Sequence, residues 1–570
     1  MRLNQIVIPD GRKPSRNPQI KSIDSRFRGN DNAGAIMKIL ITDPLGQNGM
    51  AELKKENGFT VDERPGISVE ELKKIIGDYE AVILRSGTRL TQDIIEAGRK
   101  LRVIGRAGVG VDNVDLEAAT KRGIIVMNTP EGNTVSTAEH TFSLLMALAR
   151  NIPQAAASVK AGEWKRHDFL GTELNGKVAG IMGFGRIGRE VAKRAAAFGM
   201  RVVVFDPFIS KEGFKEFPAE FMDLEALLKI SDFITVHTPL TPETKHLLNS
   251  KTFKLCKKGV KIINCARGGI VEEKALVEAI QNGIVSGAAL DVFEKEPPAP
   301  DDPLLKLPQV IATPHLGAAT QEAQENVAID VARQVADALQ KRAIKNAVNL
   351  PNLDPETYKA LTPWITLAEK IGMLHAQLFG GSFQTVTIRY GGEVTRYALS
   401  PLTIAVLKGL LTPICGETVN YVNAPAMAKE RGITVNESRT TQMEDFSNYI
   451  QVEVEADAKS QARNSIMGTL FGNKLPRIVN INEFWGLDID PQGYVLVVKN
   501  QDQPGVVGTL GMILGRNKIN IAEMSLARAV QSNAKMLALT TINTDNEIPD
   551  TVLAEIKKFP PILDAKVVKL

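Results

Sequence analysis

Between Gly183 and Asp206 the chain carries residues whose types and spacing suit the binding of a dinucleotide. Gly183-Phe-Gly185-Arg-Ile-Gly188 follows a strand-like apolar run, residues 177–182, and opens a helix-like one, residues 189–197. Gly183 permits the tight turn from strand to helix, and Gly185 lets backbone approach a pyrophosphate. Gly188 lets the helix pack closely on the sheet, with the helix N-terminus facing phosphate charge. Eighteen residues past Gly188, a second strand-like run, Arg201-Val-Val-Val-Phe, ends in Asp206. A carboxylate there accepts hydrogen bonds from the adenosine ribose and repels a 2′-phosphate, which favours NAD over NADP. The plainer alternative is a solvated strand-end Asp, and Pro207 beside it suits a loop start.

Further along stand Arg267 in Asn-Cys-Ala-Arg-Gly-Gly, two glutamates in Phe293-Glu-Lys-Glu, and His315 in Thr-Pro-His-Leu-Gly. Behind a dinucleotide site, a cation, a carboxylate and an imidazole read as a hydride-transfer set: oxidising a hydroxy acid, for instance, removes a hydride from C2 and a proton from its hydroxyl. An imidazole that titrates near neutrality is the natural base, and a carboxylate against its ring would hold the tautomer. A guanidinium can pair bidentately with the substrate carboxylate and polarise the C2 oxygen, which an ammonium cannot do with that geometry. Backbone N–H groups at 108–110 can complete the carboxylate grip. Each residue also has a plainer reading. A lone His at a strand end is usually structural, as expected of His140, His167, His237, His246 and His375. Arg267 could be a strand-end cation, and Cys265 a small packing residue.

A chain of 570 residues is expected to hold about three to five domains. Hydrophobic content of 44% and charged content of 24% describe a globular protein with ample core. A formal net charge of +4 argues against a dedicated nucleic-acid surface, and no apolar run approaches the ~20 residues that span a bilayer. Three cysteines are too few for a disulfide framework, which points to a reducing compartment and a cytoplasmic location. No metal-ligand constellation is expected. Residues 1–36 are polar and rich in helix breakers, with no apolar core for a secretory signal, and read as a disordered tail or an over-long translation start.

From Met37 the chain alternates short apolar strands with helical patterns, the signature of a parallel α/β sheet. The amphipathic run 137–150 leads into the unit with the glycine motif, and the helix expected at 321–340 begins no new sheet. The nucleotide unit, 133–317, is therefore expected as an insertion between two parts of a substrate domain, 37–132 and 318–346, with the site in the cleft between them. An α+β region follows over 347–491, where Lys474 and Arg477 form either an anion site or a solvated turn. Residues 492–570 order themselves β-α-β-β-α-β, a ferredoxin-like arrangement. Arg85, with Ser86 and Thr88, lies at a strand end and suits a phosphate, with Arg106 and Lys165-Arg166 as further cations.

These motifs carry a resemblance. Arg85-Ser-Gly-Thr, Gly105-Arg-Ala-Gly-Val-Gly-Val-Asp-Asn-Val-Asp, the Gly183 motif, Asn264-Cys-Ala-Arg-Gly-Gly, Gly287-Ala-Ala-Leu-Asp-Val-Phe and Thr313-Pro-His-Leu-Gly resemble the D-isomer-specific 2-hydroxyacid dehydrogenases. With its C-terminal half the chain is similar to the long forms of that family that oxidise D-3-phosphoglycerate, with an intervening domain and a C-terminal ACT domain. The resemblance implies a Rossmann-type domain inserted in a flavodoxin-like one. It assigns Glu296, rather than Glu294, as partner of the base His315, with Arg267 completing the catalytic set. For NAD it implies Gly183, Gly185, Arg186, Ile187, Gly188, Asp206, Pro207, His237, Thr238, Pro239, Thr244, Cys265, Ala266, Arg267, Asp291, His315 and Gly317. For the substrate it implies Arg85, Ser86, Arg106, Val109, Gly110, Asn133, Arg267 and His315.

The ACT-like end implies an L-serine effector bound by Asn500, Asp502 and Asn520, and a homodimer or homotetramer. A side reduction of 2-oxoglutarate is also implied, since its distal carboxylate mimics a phosphate. The competing readings are a relative acting on glyoxylate, hydroxypyruvate or D-lactate, and a non-catalytic NAD-sensing protein similar to the C-terminal binding corepressors. An ACT-like module argues against both.

Overall fold

The computed structural model describes residues 36–570 except 209–216, 341, 343, 352, 381–382, 441–445, 456–462 and 530–536. The expectation for the first 36 residues thus falls, but for Ile36, outside the described residues.

Four sheets organise the chain. The first contains β1 (Met37–Ile41), β2 (Phe59–Glu63), β3 (Ala81–Leu84), β4 (Val103–Arg106) and β5 (Ile125–Met127), all parallel in the order β2-β1-β3-β4-β5. All four residues of β3 are buried, because helices cover both faces of the sheet. One covering helix is Gln321–Leu339, which arrives from far along the chain and buries Val327, Val331 and Val335 with Ile39 and Ile83. Gly105 marks the crossing: a Cβ there would lie 2.5 Å from a Val335 methyl.

The second sheet contains β6 (Val178–Met182), β7 (Arg201–Phe205), β8 (Glu220–Phe221), β9 (Phe233–Val236), β10 (Val260–Asn264), β11 (Val285–Leu290) and β12 (Val310–Ala312). It too is parallel, ordered β12-β11-β10-β9-β6-β7-β8. The chain grows outward from β6 in one direction and from β9 in the other. The carboxyl ends of these neighbours form the switch point where doubly wound sheets bind ligands.

The third sheet contains β13 (Thr385–Gly391), β14 (Thr434–Thr440), β15 (Tyr449–Glu455), β16 (Arg463–Phe471), β17 (Leu475–Ile481) and β18 (Phe484–Ile489), ordered β14-β13-β15-β16-β17-β18. Helices Pro355–Phe379 and Ser400–Cys415 pack with it. The fourth contains β19 (Tyr494–Gln501), β20 (Ile521–Arg528), β21 (Leu537–Thr544) and β22 (Ile562–Lys569), antiparallel in the order β20-β21-β19-β22. Helices Val506–Arg516 and Asp550–Lys557 complete the β-α-β-β-α-β order. The last two sheets share one core: Val495, Val497 and Leu539 are buried with Leu367, Ile371 and Ile466.

Candidate active site

The glycine motif packs as its residue types require. Gly183 turns with φ 94°, and a Cβ on it would lie 2.7 Å from the His237 carbonyl on the neighbouring strand end. A Cβ on Gly188 would lie 2.1 Å from the Gly183 oxygen, so helix and turn touch through hydrogen. Helix Arg186–Ala197 begins there with its first N–H groups free of side-chain caps. Asp206 stands at the end of β7, where it accepts from the N–H of Phe184 at 2.8 Å and of Phe208 at 2.9 Å. His237 bonds Thr235 through Nε2 at 3.0 Å, and burial pushes its pKa down to about 3. Its Nδ1 and the Thr238 hydroxyl are buried with no partner among the described residues. Thr244 donates to the Pro239 carbonyl at 2.6 Å, and Arg186 reaches Glu131 at 3.4 Å.

Three adjacent strands carry the groups suited to chemistry. Arg267 follows β10, Glu296 follows β11 and His315 follows β12, so their loops leave neighbouring carboxyl ends. His315 Nδ1 lies 2.7 Å from Glu296, whose other oxygen accepts the Phe293 N–H at 3.1 Å. Burial pushes the Glu296 carboxyl up, but the hydrogen bond and charge of His315 outweigh it, and the pKa is lowered overall. An ionised carboxylate only accepts, so Nδ1 carries a proton, and in the neutral imidazole Nε2 keeps its lone pair. Both groups are part-exposed, as a base that must meet a substrate has to be.

His315 has φ 53°, an uncommon backbone state for a residue with a side chain. Asp291 holds it there. This fully buried carboxylate accepts from the N–H of Leu316 at 2.7 Å and of Gly317 at 2.8 Å. It also takes the Thr313 hydroxyl at 2.6 Å and His140 Nε2 at 3.1 Å. His140, expected to be merely structural, is thus tied into the loop that carries His315. Cys265 is buried beside this group, and burial pushes its thiol up to about 12.

The first sheet contributes cations. Arg85 follows β3, and its loop is pinned from both sides. Asp43 accepts the N–H of Arg85 at 2.8 Å and of Thr88 at 3.2 Å, while the Asn113 amide donates to both carbonyls at 2.6 Å. Arg106, at the end of β4, is largely enclosed, and burial, then Arg267, pushes its pKa down to about 10. Its Nε has no partner among the described residues. The loop 108–110 folds tightly over these groups. A Cβ on Gly108 would lie 1.5 Å from the Arg106 guanidinium, and one on Gly110 would lie 1.9 Å from that of Arg267. The Val109 carbonyl accepts from Asn128 at 2.5 Å, and Asn133 leaves its side-chain oxygen buried without a partner among the described residues.

Arg267 is not free along its whole length. Its Nε donates to Asp112 at 2.9 Å and its Nη1 to the Ala266 carbonyl at 2.7 Å, so bidentate pairing with a substrate falls to the outer edge of the fork. Asp43 lies outside the motifs quoted above, while Asp112, Asn113 and Thr313 stand inside them with no role expected of them.

The remaining expected residues are spread along the chain. Lys165 pairs with Glu163 at 2.8 Å. Arg477 is neither an anion site nor a solvated turn, because Asp488, Asp490 and Glu523 surround it at 2.9–3.5 Å. In the fourth sheet Asn500 is buried and accepts from Thr540, Asp502 pairs with Arg528 at 2.6 Å, and the Asn520 amide donates to Asp545 at 2.7 Å.

Comparison with known proteins adds three matched families. Residues 142–317 match the D-isomer specific 2-hydroxyacid dehydrogenase NAD binding domain, 360–482 the D-3-phosphoglycerate dehydrogenase intervening domain, and 494–561 the ACT domain. The chain is 43% identical over 534 residues to a D-3-phosphoglycerate dehydrogenase of Archaeoglobus fulgidus, covering 94% of this chain and all of the relative. It is 42% identical over 535 residues to that of Bacillus subtilis, covering 94% and 100%. Among solved structures, a glyoxylate reductase from Paecilomyes thermophila is 30% identical with a TM-score of 0.52, covering 55% of this chain and 98% of the other.

Proposed function

The chain belongs to the D-3-phosphoglycerate dehydrogenase family within the D-isomer-specific 2-hydroxyacid dehydrogenases, and on that premise we propose how its own residues oxidise D-3-phosphoglycerate to 3-phosphohydroxypyruvate. It is an NAD-dependent enzyme. The residues present fit that cofactor: Gly185 has open space where a Cβ would stand, the helix N-terminus has no side-chain cap, and the hydroxyl of Thr238 is buried near the turn with no partner among the described residues. When bound, NAD⁺ supplies the hydride acceptor. Asp206 holds the adenosine ribose and excludes a 2′-phosphate.

Arg267 takes the substrate carboxylate with the N–H groups of Val109 and Gly110, fixing C2 before the cofactor. His315 Nε2 removes the C2 hydroxyl proton while Glu296 stabilises the imidazolium that forms. Arg85, Ser86 and Arg106 receive the phosphate. The observation that carries this choice of substrate is Arg106. An enclosed cation with an unpartnered Nε, beside two further guanidiniums, calls for more negative charge than one carboxylate brings.

The ACT domain supports L-serine feedback through Asp502 and Asn520, which pair with Arg528 and Asp545 among the described residues, contacts that an amino acid could replace. The exposed Trp164 (83%) and Leu170 (90%), with Ile152 and Val159, support a homo-oligomer. The test is NADH formation with D-3-phosphoglycerate against D-lactate, and NADH consumption with glyoxylate and hydroxypyruvate. The phosphorylated acid should be the preferred substrate by orders of magnitude. Calorimetry should detect L-serine at millimolar concentration and no binding after Asp502→Ala.

A further inference from the structure

The ion pair between Asp112 and Arg267 joins two parts of the chain that meet only at the cleft. Asp112 follows β4 of the first sheet, and Arg267 follows β10 of the second, 155 positions away. Three guanidiniums gather here, of Arg85, Arg106 and Arg267, and after burial the charges of Arg267 and Arg85 add to the cost of charge on Arg106. Two carboxylates stand among them, with different duties. Asp43 is spent on backbone N–H groups at Arg85 and Thr88. Only Asp112 touches a guanidinium of this trio among the described residues.

A guanidinium offers five N–H groups in a fixed plane, so occupying some of them decides where the others point. In Arg267 the Nε–H goes to Asp112 and one Nη1–H goes to the Ala266 carbonyl. Those two bonds lie on opposite sides of the group and fix its plane. The tip is pressed against Gly110, where a Cβ would lie 1.9 Å from Nη2 and 2.8 Å from the Asp112 carboxylate. The N–H groups left over lie on the outer edge, toward the backbone of 108–110. As an exposed pair its net stability is small, since Asp112 is 67% exposed and screened by water. Its effect is on direction rather than on folding.

Resting on the proposed function of this cleft, we propose that Asp112 is a positioning residue for the reaction: by accepting the Arg267 Nε–H across the cleft, it turns the outer edge of the guanidinium toward the substrate carboxylate. The residue acts through Arg267 and touches no reacting atom. Its contribution is a hydrogen bond of fixed geometry, which an amide oxygen can also accept.

The experiment compares the wild type with Asp112→Ala, Asp112→Asn, Arg267→Ala and the Asp112→Ala/Arg267→Ala double variant, using D-3-phosphoglycerate and NAD⁺. Wild-type turnover tests the function itself, so a failure there is distinct from a failure of the role of Asp112. Asp112→Ala should lower kcat/KM for D-3-phosphoglycerate roughly tenfold or more, with NADH affinity and melting temperature unchanged. Asp112→Asn should restore most of the loss, and Asp112→Ala should add nothing once Arg267 is absent. The proposal is overturned if Asp112→Ala turns over like the wild type, or if its KM falls, which would make Asp112 a competitor of the substrate. It is equally overturned if Asp112→Asn is as impaired as Asp112→Ala, or if the two losses multiply in the double variant.

Discussion

The cleft between the first two sheets and the joint between the last two both gather arginines and carboxylates, and they balance them differently. At the cleft, donors are in surplus. Arg106 keeps a buried Nε without a partner among the described residues, and Arg267 keeps the outer edge of its fork. At the joint, acceptors are in surplus. Arg477 on β17 is surrounded by Asp488 and Asp490 from the third sheet's end and by Glu523 on β20, and the atoms left over are carboxylate oxygens of Asp490 and Glu523. Gln377 and Lys569 exchange two hydrogen bonds at 2.9 Å across the same joint. A surplus of rigidly held cationic donors is a place waiting for an anion. A cation already saturated by carboxylates on two elements is a rivet.

The comparison is broken most severely at the proton relay. His315→Ala should lower kcat by about 10²- to 10⁴-fold, with NADH affinity unchanged, as fluorescence titration would show. A variant of near-normal kcat would remove His315 from the role of base. Next in size is Gly110→Ala. Its new methyl would strike a guanidinium that Asp112 and Ala266 hold in place, and kcat/KM should fall about 10²-fold. The joint should behave otherwise. Arg477→Ala leaves three carboxylates together and should cost about 1–3 kcal/mol, read as a lower melting temperature, with kcat within a factor of two.

A smaller effect comes with acid. His375 is buried in the third sheet's core, where burial outweighs its bond to the Val452 carbonyl and lowers its pKa to about 4. Between pH of about 6.5 and 4 the unfolded chain binds a proton that the folded one refuses. Stability therefore rises with pH across that window and is lost as pH falls through it. His375→Gln should flatten that part of the melting-temperature profile, and an unchanged slope would mean that other groups set it.

Much of this was legible in the sequence. The glycine turn, the strand end at Asp206 and the β-α-β-β-α-β order of the last domain are each written in short runs of residue types, and local pattern reports them well, although Asp206 meets its Phe184 partner from 22 positions away. Other features resisted for physical reasons. The helix Pro355–Phe379 is hard to bound by pattern: Asp354 caps it by accepting from the N–H groups of Glu356 and Thr357, and Pro363, a usual helix breaker, lies within it. Strand β14, Thr-Val-Asn-Glu-Ser-Arg-Thr, is a polar edge strand and shows no alternation of burial. The residues of the His315–Glu296 pair could be named, but the contacts of Asp112 and His140 could not. Each acts on a partner more than 150 positions away, and only the packing of sheets and helices brings them together.

The account rests on a cleft built for an acid with a second anionic end. The most direct test is the ratio of kcat/KM for D-3-phosphoglycerate to that for D-glycerate, the same hydroxy acid without its phosphate. The surplus of donors at Arg85 and Arg106 predicts a ratio of about 10² or more, since losing a charge-assisted, bidentate contact costs several kcal/mol and leaves buried donors unpaired. Arg85→Ala should bring the ratio down while leaving D-glycerate turnover nearly unchanged. Equal efficiency with both acids in the wild type would contradict the account, because the cations of the first sheet would then have no anion to meet.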